Sequence, residues 1–172
     1  MNANRNAQFF ALDGLKVPIL ATVKVQQTYE TLGGRDLSRS RNGRARLQVH
    51  WQKLKTVLSG SGWRVAPFSG VDQTVLHTLD CVSARALQSA QPVFQLPAQR
   101  QDIPPRGFAV VGGELVRTAS ALNGSTLALT PHPQADSYVC WYWPQLTGYL
   151  TLTEQGDPRG GDYNWTLTLE EA

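Results

Sequence analysis

Apolar and polar residues alternate with a period of two along much of the chain, which predicts β-strands. Residues 15–27 place an apolar residue at almost every second position, and residues 44–57 alternate apolar residues with arginine, glutamine and histidine. Lys53 and Lys55 then take positions on the apolar side, so we expect the second strand to leave the core or to bulge there. The two strands flank an arginine-rich segment, and a long hairpin with a basic tip is the simplest topology for them.

Turn signals divide the remainder of the chain into short elements. Gly112-Gly113 and Asn123-Gly124 are two-residue hairpin signals, and the second is typical of a type I′ turn. Residues 59–63 are expected to form a loop, residues 83–91 a short helix, and residues 91–106 an extended, proline-rich connection. The further predicted strands are residues 75–82, 108–111, 114–118, 119–122, 125–130, 138–143, 149–154 and 165–170.

This number of short strands predicts an all-β fold: a β-sandwich or barrel of short antiparallel strands with a long arginine-tipped hairpin arm. The length of 172 residues suits one domain. We therefore expect residues 1–172 to form a single β-rich domain, with residues 28–46 as the protruding arm. No apolar run reaches the roughly 18 residues of a membrane-spanning helix, so we expect no membrane partner. The amino-terminal residues lack the pattern of a secretory signal.

Positive charge is concentrated in one short segment. Five arginines fall within twelve residues, with Asp36 as the only acid among them, while the whole chain has a formal net charge of +3. The rest of the chain is therefore close to neutral. A glycine- and serine-rich segment of this kind is expected to be a solvated hairpin tip, a subunit contact or a phosphate-binding finger. The arginines are Arg35, Arg39, Arg41, Arg44 and Arg46.

The sequence offers little that resembles a catalytic or metal site. His50, His77 and His132 have no metal-ligand spacing, and no phosphate-loop or nucleophile motif is present. Cys81 and Cys140 are expected to be small buried apolar residues rather than a disulfide or a zinc site. We therefore predict no enzyme activity and no cofactor. The enzymatic alternative is a cell-wall hydrolase that uses Asp72 and Asp80 as its two acids.

The aromatic strand at residues 138–143 suggests a contact surface. Trp141, Tyr142 and Trp143 alternate between the two faces, so at least one large ring is expected to point away from the core. Tryptophan, tyrosine and arginine concentrate at protein interfaces, so we predict subunit contacts through Trp141, Trp143 and the five arginines. A single-stranded nucleic-acid-binding β-barrel would use the same residue types. Because the arginines sit on one loop and not among the aromatics, the interface is favoured and nucleic acid is not expected as a partner.

Two blocks of the sequence resemble a known class of proteins. The first is WQKLKTVLSGSGWRVAPFSGVDQTVLHTLDC at residues 51–81, and the second comprises WYWPQLTGYLTLTEQG and the terminal NWTLTLEEA. Together they cover about a third of the chain. They resemble small tail-tip or baseplate proteins of long-tailed bacteriophages, in particular distal-tail-like structural proteins.

The resemblance implies a virion structural protein in the phage tail, assembled in the host cytoplasm. Proteins of this class form rings that link the tail tube to the distal baseplate. The expected assembly is a homo-oligomer, a hexamer with a trimer as the alternative, and the expected partners are the tail tube and the baseplate hub. The arginine-rich arm would then dock on acidic surfaces of an adjacent ring. The resemblance brings no catalytic residue.

Overall fold

In the computed structural model, residues 9–157 and 159–172 are described, and almost all of their regular structure is β. A single turn of 3-10 helix spans Ile19–Ala21, and the described residues contain no α-helix. The predicted all-β fold class is therefore confirmed. The strands are β1 (Ala11–Leu12), β2 (Leu15–Lys16), β3 (Lys24–Arg39), β4 (Ala45–Gly62), β5 (His77–Asp80), β6 (Arg85–Ser89), β7 (Val93–Gln95), β8 (Arg106–Val111), β9 (Glu114–Thr118), β10 (Ser120–Asn123), β11 (Thr126–Leu129), β12 (Ser137–Tyr142), β13 (Gln145–Asp157) and β14 (Asp162–Glu171).

The chain groups into two compact units, each built from two separate segments. Unit 1 comprises Met1–Lys16 and Thr78–Leu146, and unit 2 comprises Val17–His77 and Thr147–Ala172. We expect residues 1–172 to form a single domain. The grouping into two units does not show whether either unit folds on its own, so the single domain stays a prediction.

Unit 1 contains two small antiparallel sheets with a common core. One sheet has the strand order β10-β11-β7, and the other has the order β6-β12-β8-β9. Alternate residues of these strands point inward, as the period-two pattern predicts. The resulting core is that of two packed sheets. It consists of Phe94, Leu96, Ala109, Leu127, Leu129, Tyr138, Cys140 and Tyr142.

The helix predicted over residues 83–91 is wrong. Residues Arg85–Ser89 form strand β6 and pair antiparallel with β12. Leu87 lies opposite Cys140 and packs against the core of unit 1. The edge of β12 supplies a ladder of hydrogen bonds, and this tertiary pairing overrides the weak local preference for a helix. The extended connection at 91–106 likewise contains one short strand, β7.

Both predicted glycine turns occur, although the second is placed one residue later than expected. Gly112 and Gly113 have φ values of 58° and 88°, so both central residues of the β8–β9 turn have the positive φ of type I′. Between β10 and β11, Asn123 pairs with Thr126, so the central residues are Gly124 and Ser125. Only Gly124 has a positive φ, which is the pattern of a type II′ turn.

Unit 2 is built around an antiparallel sheet in which β14 lies between β13 and β4, and β3 pairs with the other side of β4. Its inner face carries Leu58, Leu150, Leu167 and Leu169, all buried. Trp165 is also buried, its Nε1 donates a hydrogen bond to the Ala21 carbonyl at 2.8 Å, and its ring meets Phe68 edge-on at 5.5 Å.

Two sequence predictions are corrected in unit 2. The strand predicted over residues 15–27 is interrupted, because Pro18 lacks an N–H group for the ladder and a 3-10 turn follows it. The loop predicted over residues 59–63 is mostly the end of β4. A Cβ on Gly60 would overlap the Trp165 ring, so this glycine lets the tryptophan lie across the strand.

Candidate functional site

The long hairpin extends well beyond the rest of its sheet. Strand β14 pairs with β4 only as far as Lys55, opposite Glu170, while β3 and β4 continue to pair as far as Arg39 opposite Ala45. We call residues 31–54, which form this two-stranded extension, the arm. At ~3.3 Å per residue the arm is about 30 Å long. The predicted arginine-tipped hairpin is therefore present. Its free part comprises residues 31–54, whereas the arm was expected at residues 28–46.

The tip of the arm is closed by a compact turn. Ser40 N–H donates to the Arg44 carbonyl at 3.0 Å, and Gly43 N–H donates to the Ser40 carbonyl at 2.8 Å. Gly43 has a φ of 76°, a conformation that glycine adopts without strain. Arg39 Nη1 donates to the Gly43 carbonyl at 3.2 Å, so this arginine supports the turn. Arg41 and Arg44 therefore extend from a turn that is closed by hydrogen bonds.

The arginines of the tip are available to a partner. Arg39, Arg41, Arg44 and Arg46 are all exposed. Within the described residues, no ion pair is formed by Arg41, Arg44 or Arg46. Arg35 lies in β3, opposite Val49, and its side chain falls outside the described part. The arm carries six basic residues and one acid, a net charge of +5.

An apolar stripe runs along one face of the arm. Leu37 lies directly opposite Leu47, and each is 57% exposed. Val49 follows two residues after Leu47, on the same face, and is 55% exposed. Three large apolar side chains in a row, with no covering layer among the described residues, are unusual on an isolated surface. Alternation in the sequence predicts that Leu47 and Val49 lie on the inner side of their strand, so it does not reveal this stripe.

A β-bulge reverses the faces of the arm partway along its length. Gly34 pairs with Trp51 while Arg35 pairs with Val49, which leaves His50 as an extra residue in β4. Trp51 therefore lies on the face opposite Val49, although the sequence places both on one parity. A Cβ on Gly34 would overlap the Trp51 indole, so the ring covers the glycine. The expectation that β4 bulges or leaves the core at Lys53 and Lys55 is wrong, because both residues pair in a regular ladder and the strand enters the core after them; the bulge of the arm lies at His50.

The root of the arm is held by the last residues of β14. Lys55 pairs with Glu170 at 3.3 Å, and the Leu54 N–H donates to Glu171 Oε2 at 2.9 Å. Lys53 Nζ donates to the Ala172 carbonyl. The Glu171 carboxylate thus takes the place of a strand partner where the β14 ladder ends. These contacts attach the root of the arm to the end of β14.

The two tryptophans predicted at an interface have different environments. Trp141 is half-buried, and its ring lies 4.6 Å from that of Phe108. Trp143 is buried, donates from Nε1 to the Val82 carbonyl at 3.0 Å, and has the Arg106 guanidinium 5.3 Å from its ring centre. A side chain so enclosed has little surface for a subunit contact. The predicted subunit contacts through Trp141 and Trp143 stay predictions.

The two candidate acids belong to different units and have different hydrogen-bond partners. Asp72 accepts hydrogen bonds from the Thr74 hydroxyl and N–H, which lower the pKa of its carboxyl, while Asp80 accepts one from Gln145. Asp72 belongs to unit 2 and Asp80 to unit 1. A lowered pKa favours the ionised form, which is the opposite of what a general acid needs.

The histidines and cysteines have the environments expected of structural residues. His50 is exposed, and His77 is buried with Nε2 2.7 Å from the Asp72 carbonyl oxygen. Cys81 and Cys140 are both fully buried, as predicted, and burial raises the pKa of the Cys140 thiol to about 11. Nowhere in the described ranges do three or more histidine, cysteine or acidic side chains gather as metal ligands would. No helix among residues 9–157 and 159–172 is long and apolar enough to cross a membrane.

Comparison with known proteins leaves the arm as the main guide to function. No known protein family, no curated protein and no solved structure matches this chain.

Proposed function

We propose that this chain is a structural subunit of the tail tip or baseplate of a long-tailed bacteriophage, which assembles as a ring and links the tail tube to the distal baseplate. The observation that carries the proposal is the arm: a two-stranded extension that exposes an apolar stripe and a cluster of arginines. The resemblance of residues 51–81 and of the carboxyl-terminal block to distal-tail-like proteins supports the choice of assembly.

Energetic considerations favour an arm that is completed by a partner. An isolated two-stranded hairpin is marginally stable in water, because neither face is covered. Leu37, Leu47 and Val49 would each gain roughly 1 kcal/mol or more on burial from their half-exposed state. The surrounding arginines form charge-assisted hydrogen bonds with carboxylates or carbonyls and exclude partners of like charge. An arm of this kind acts as an assembly element, with virion partners in the tail.

The experiment is a triple substitution at the tip, R39A/R41A/R44A, examined by native mass spectrometry and electron microscopy. We expect the wild-type chain to form closed rings of six or three copies. The variant should keep a melting temperature close to that of the wild-type chain, because these side chains are exposed and the one hydrogen bond lost, from Arg39 to the Gly43 carbonyl, lies at the solvent-exposed tip. It should nevertheless populate mainly monomers. A matched control is R117A, which removes an exposed arginine from β9, far along the chain from the arm.

Two outcomes would contradict the proposal. Ring formation unchanged by the triple substitution would show that the arm has no role in assembly. Salt-sensitive binding of a single-stranded DNA oligonucleotide by the monomer, abolished by the same substitution, would instead identify the arm as a nucleic-acid contact.

A further inference from the structure

A second exposed apolar patch lies at the opposite end of unit 2 from the arm tip. Trp63 N–H donates to the Leu20 carbonyl at 2.8 Å, which brings the end of β4 against the 3-10 turn. Trp63 and Val65 are each 63% exposed, and Ile19 and Leu20 of the turn are also exposed. We call this set, Ile19, Leu20, Trp63 and Val65, the base patch.

Carboxylates lie beside the base patch, at the β13–β14 turn. Asp157 lies directly opposite Asp162, an arrangement of like charges that is unfavourable until a cation neutralises it. Among the described residues neither carboxylate forms an ion pair. A hollow of about 220 Å³ lies beside Val65 of the patch and is also lined by Glu154 and Tyr163, near the ends of β13 and β14. Arg64 and Arg159 also lie here, so the region is mixed in charge.

The charges of the two parts of unit 2 are complementary. The arm has a net charge of +5, whereas the rest of unit 2 has seven acids and four bases, a net charge of −3. Each end also exposes large apolar side chains, three on the arm stripe and four on the base patch. The arm is thus opposite in charge to the rest of unit 2 taken together, and at the base the acidic groups that face a cation are Asp157 and Asp162.

The geometry of the sheet prevents the two ends from meeting within one molecule. Strand β4 has 18 residues and runs from Ala45 at the tip to Gly62 at the base. At ~3.3 Å per residue the ends are about 55 Å apart. The β13–β14 turn lies at the Gly62 end, because Tyr163 pairs with Gly62. The arm tip can therefore reach a base patch only on a second copy of the chain.

We propose that the arm tip of one copy docks on the base patch of a second copy, with the stripe of Leu37, Leu47 and Val49 against Trp63 and its neighbours, and a tip arginine between Asp157 and Asp162. The inference deepens the proposed function and rests on it, since it names the partner of the arm. A contact between two different surfaces of identical chains is head-to-tail, so it closes into a ring or continues as a filament.

The test uses two variants, each of which blocks one end. The tip variant is R41E/R44E, which avoids Arg39 because that side chain supports the turn. The base variant is D157N/D162K, in which the amide oxygen of the new side chain can still accept the hydrogen bond that Arg159 N–H now donates to Asp157. In sedimentation velocity, we expect each variant alone to associate at least about tenfold more weakly than the wild-type chain. An equimolar mixture should recover association, because each variant has the end that the other lacks.

Matched controls separate a specific contact from a change in net charge. R117E and E114K reverse exposed charges on β9 in unit 1 and should leave association unchanged. The apolar half of the contact is tested with W63T, which removes an exposed ring and should weaken self-association without lowering the melting temperature.

The outcomes distinguish failure of this inference from failure of the proposed function. If the tip variant blocks assembly but the base variant and W63T do not, the arm docks elsewhere and only this inference is overturned. Failure of the mixture to recover association would overturn it as well. If both variants assemble as the wild-type chain does, the proposed role of the arm in assembly is overturned too. A wild-type chain that remains monomeric at its highest soluble concentration would overturn self-docking, while assembly with other tail proteins would still be measurable by cross-linking.

Discussion

Trp51 lies directly opposite Gly34 in the β3–β4 ladder, and its indole covers the backbone of that glycine. The pair sits next to the bulge at His50, where the faces of the arm reverse. Two strands with no third neighbour have few other contacts to fix their register. We infer that this tryptophan–glycine pair holds the arm in register.

Replacing Gly34 should loosen the arm without unfolding the protein. In G34A the new methyl group meets the indole, and overpacking of this kind costs about 1–3 kcal/mol where the ring cannot move. Trp51 is 53% exposed and can swing aside, so we expect the lower end of that range. Hydrogen exchange of residues 31–54 should become faster, while the core of unit 1 is unchanged. H50A is the matched control, and equal exchange in G34A and H50A would contradict the role of the pair.

Deletion of His50 should leave the arm folded but change its direction. Without the extra residue, β3 and β4 can pair without interruption, and bulges increase local twist and bend the strand that carries them. We expect an unchanged or slightly raised melting temperature together with impaired assembly. Thermal unfolding and native mass spectrometry measure the two effects. Wild-type assembly by the deletion variant would show that the bend does not matter.

The core of unit 2 should depend strongly on Trp165. In W165F the Ala21 carbonyl loses its hydrogen-bond donor and a small cavity opens, which together cost about 2–3 kcal/mol. Denaturant unfolding followed by circular dichroism gives the change in free energy. The control is W63F, since Trp63 is exposed and its replacement should cost less than about 0.5 kcal/mol. Similar losses for both variants would contradict this account of the core.

The burial of Arg100 makes the stability of the protein sensitive to acid. Arg100 is buried and donates to both oxygens of Asp102 and to the Phe9 and Cys81 carbonyls. The hydrogen bond from Arg100 lowers the pKa of the Asp102 carboxyl below its ordinary 3.8. Since the folded pKa is below the unfolded one, the stabilisation is present above about pH 4 and is lost as the pH falls through the folded value.

Substitution at either partner tests that linkage. R100M should cost about 2–3 kcal/mol near neutral pH, less than a fully buried pair because Asp102 is partly exposed. D102N should flatten the fall in stability below about pH 4, as measured by melting temperature across a series of acidic buffers. If the melting temperature of D102N falls below about pH 4 as steeply as that of the wild-type chain, other carboxylates cause the loss of stability in acid.

Cys140 should be inert in the folded protein. Burial raises the pKa of its thiol to about 11, so at about pH 8 it is almost entirely protonated and out of reach of reagents. Iodoacetamide labelling, read by peptide mass spectrometry, should be slow in native protein and fast in denaturant. Rapid labelling of native Cys140 would contradict the packing of unit 1.

Local patterns predict most of the strands and the arm, because the alternation of apolar and polar residues and the glycine turns are both features of short stretches of sequence. Gly112-Gly113 predicted its turn correctly, since both residues need a positive φ. The strand at Arg85–Ser89 was missed because only pairing with β12 makes it a strand. The apolar stripe was missed for a related reason: alternation at Leu47 and Val49 indicates one apolar face, but not whether anything covers it. Burial of Trp143 also depends on distant residues.

The solution mass of the 172-residue chain, measured by light scattering at low and at moderate salt, tests the central claim that this protein assembles through its arm. We predict a closed oligomer of six or three copies at low salt, with partial dissociation at moderate salt as the arginine contacts are screened. The R39A/R41A/R44A variant should have the mass of a monomer under both conditions. Equal masses for the variant and the wild-type chain at every concentration would contradict the account.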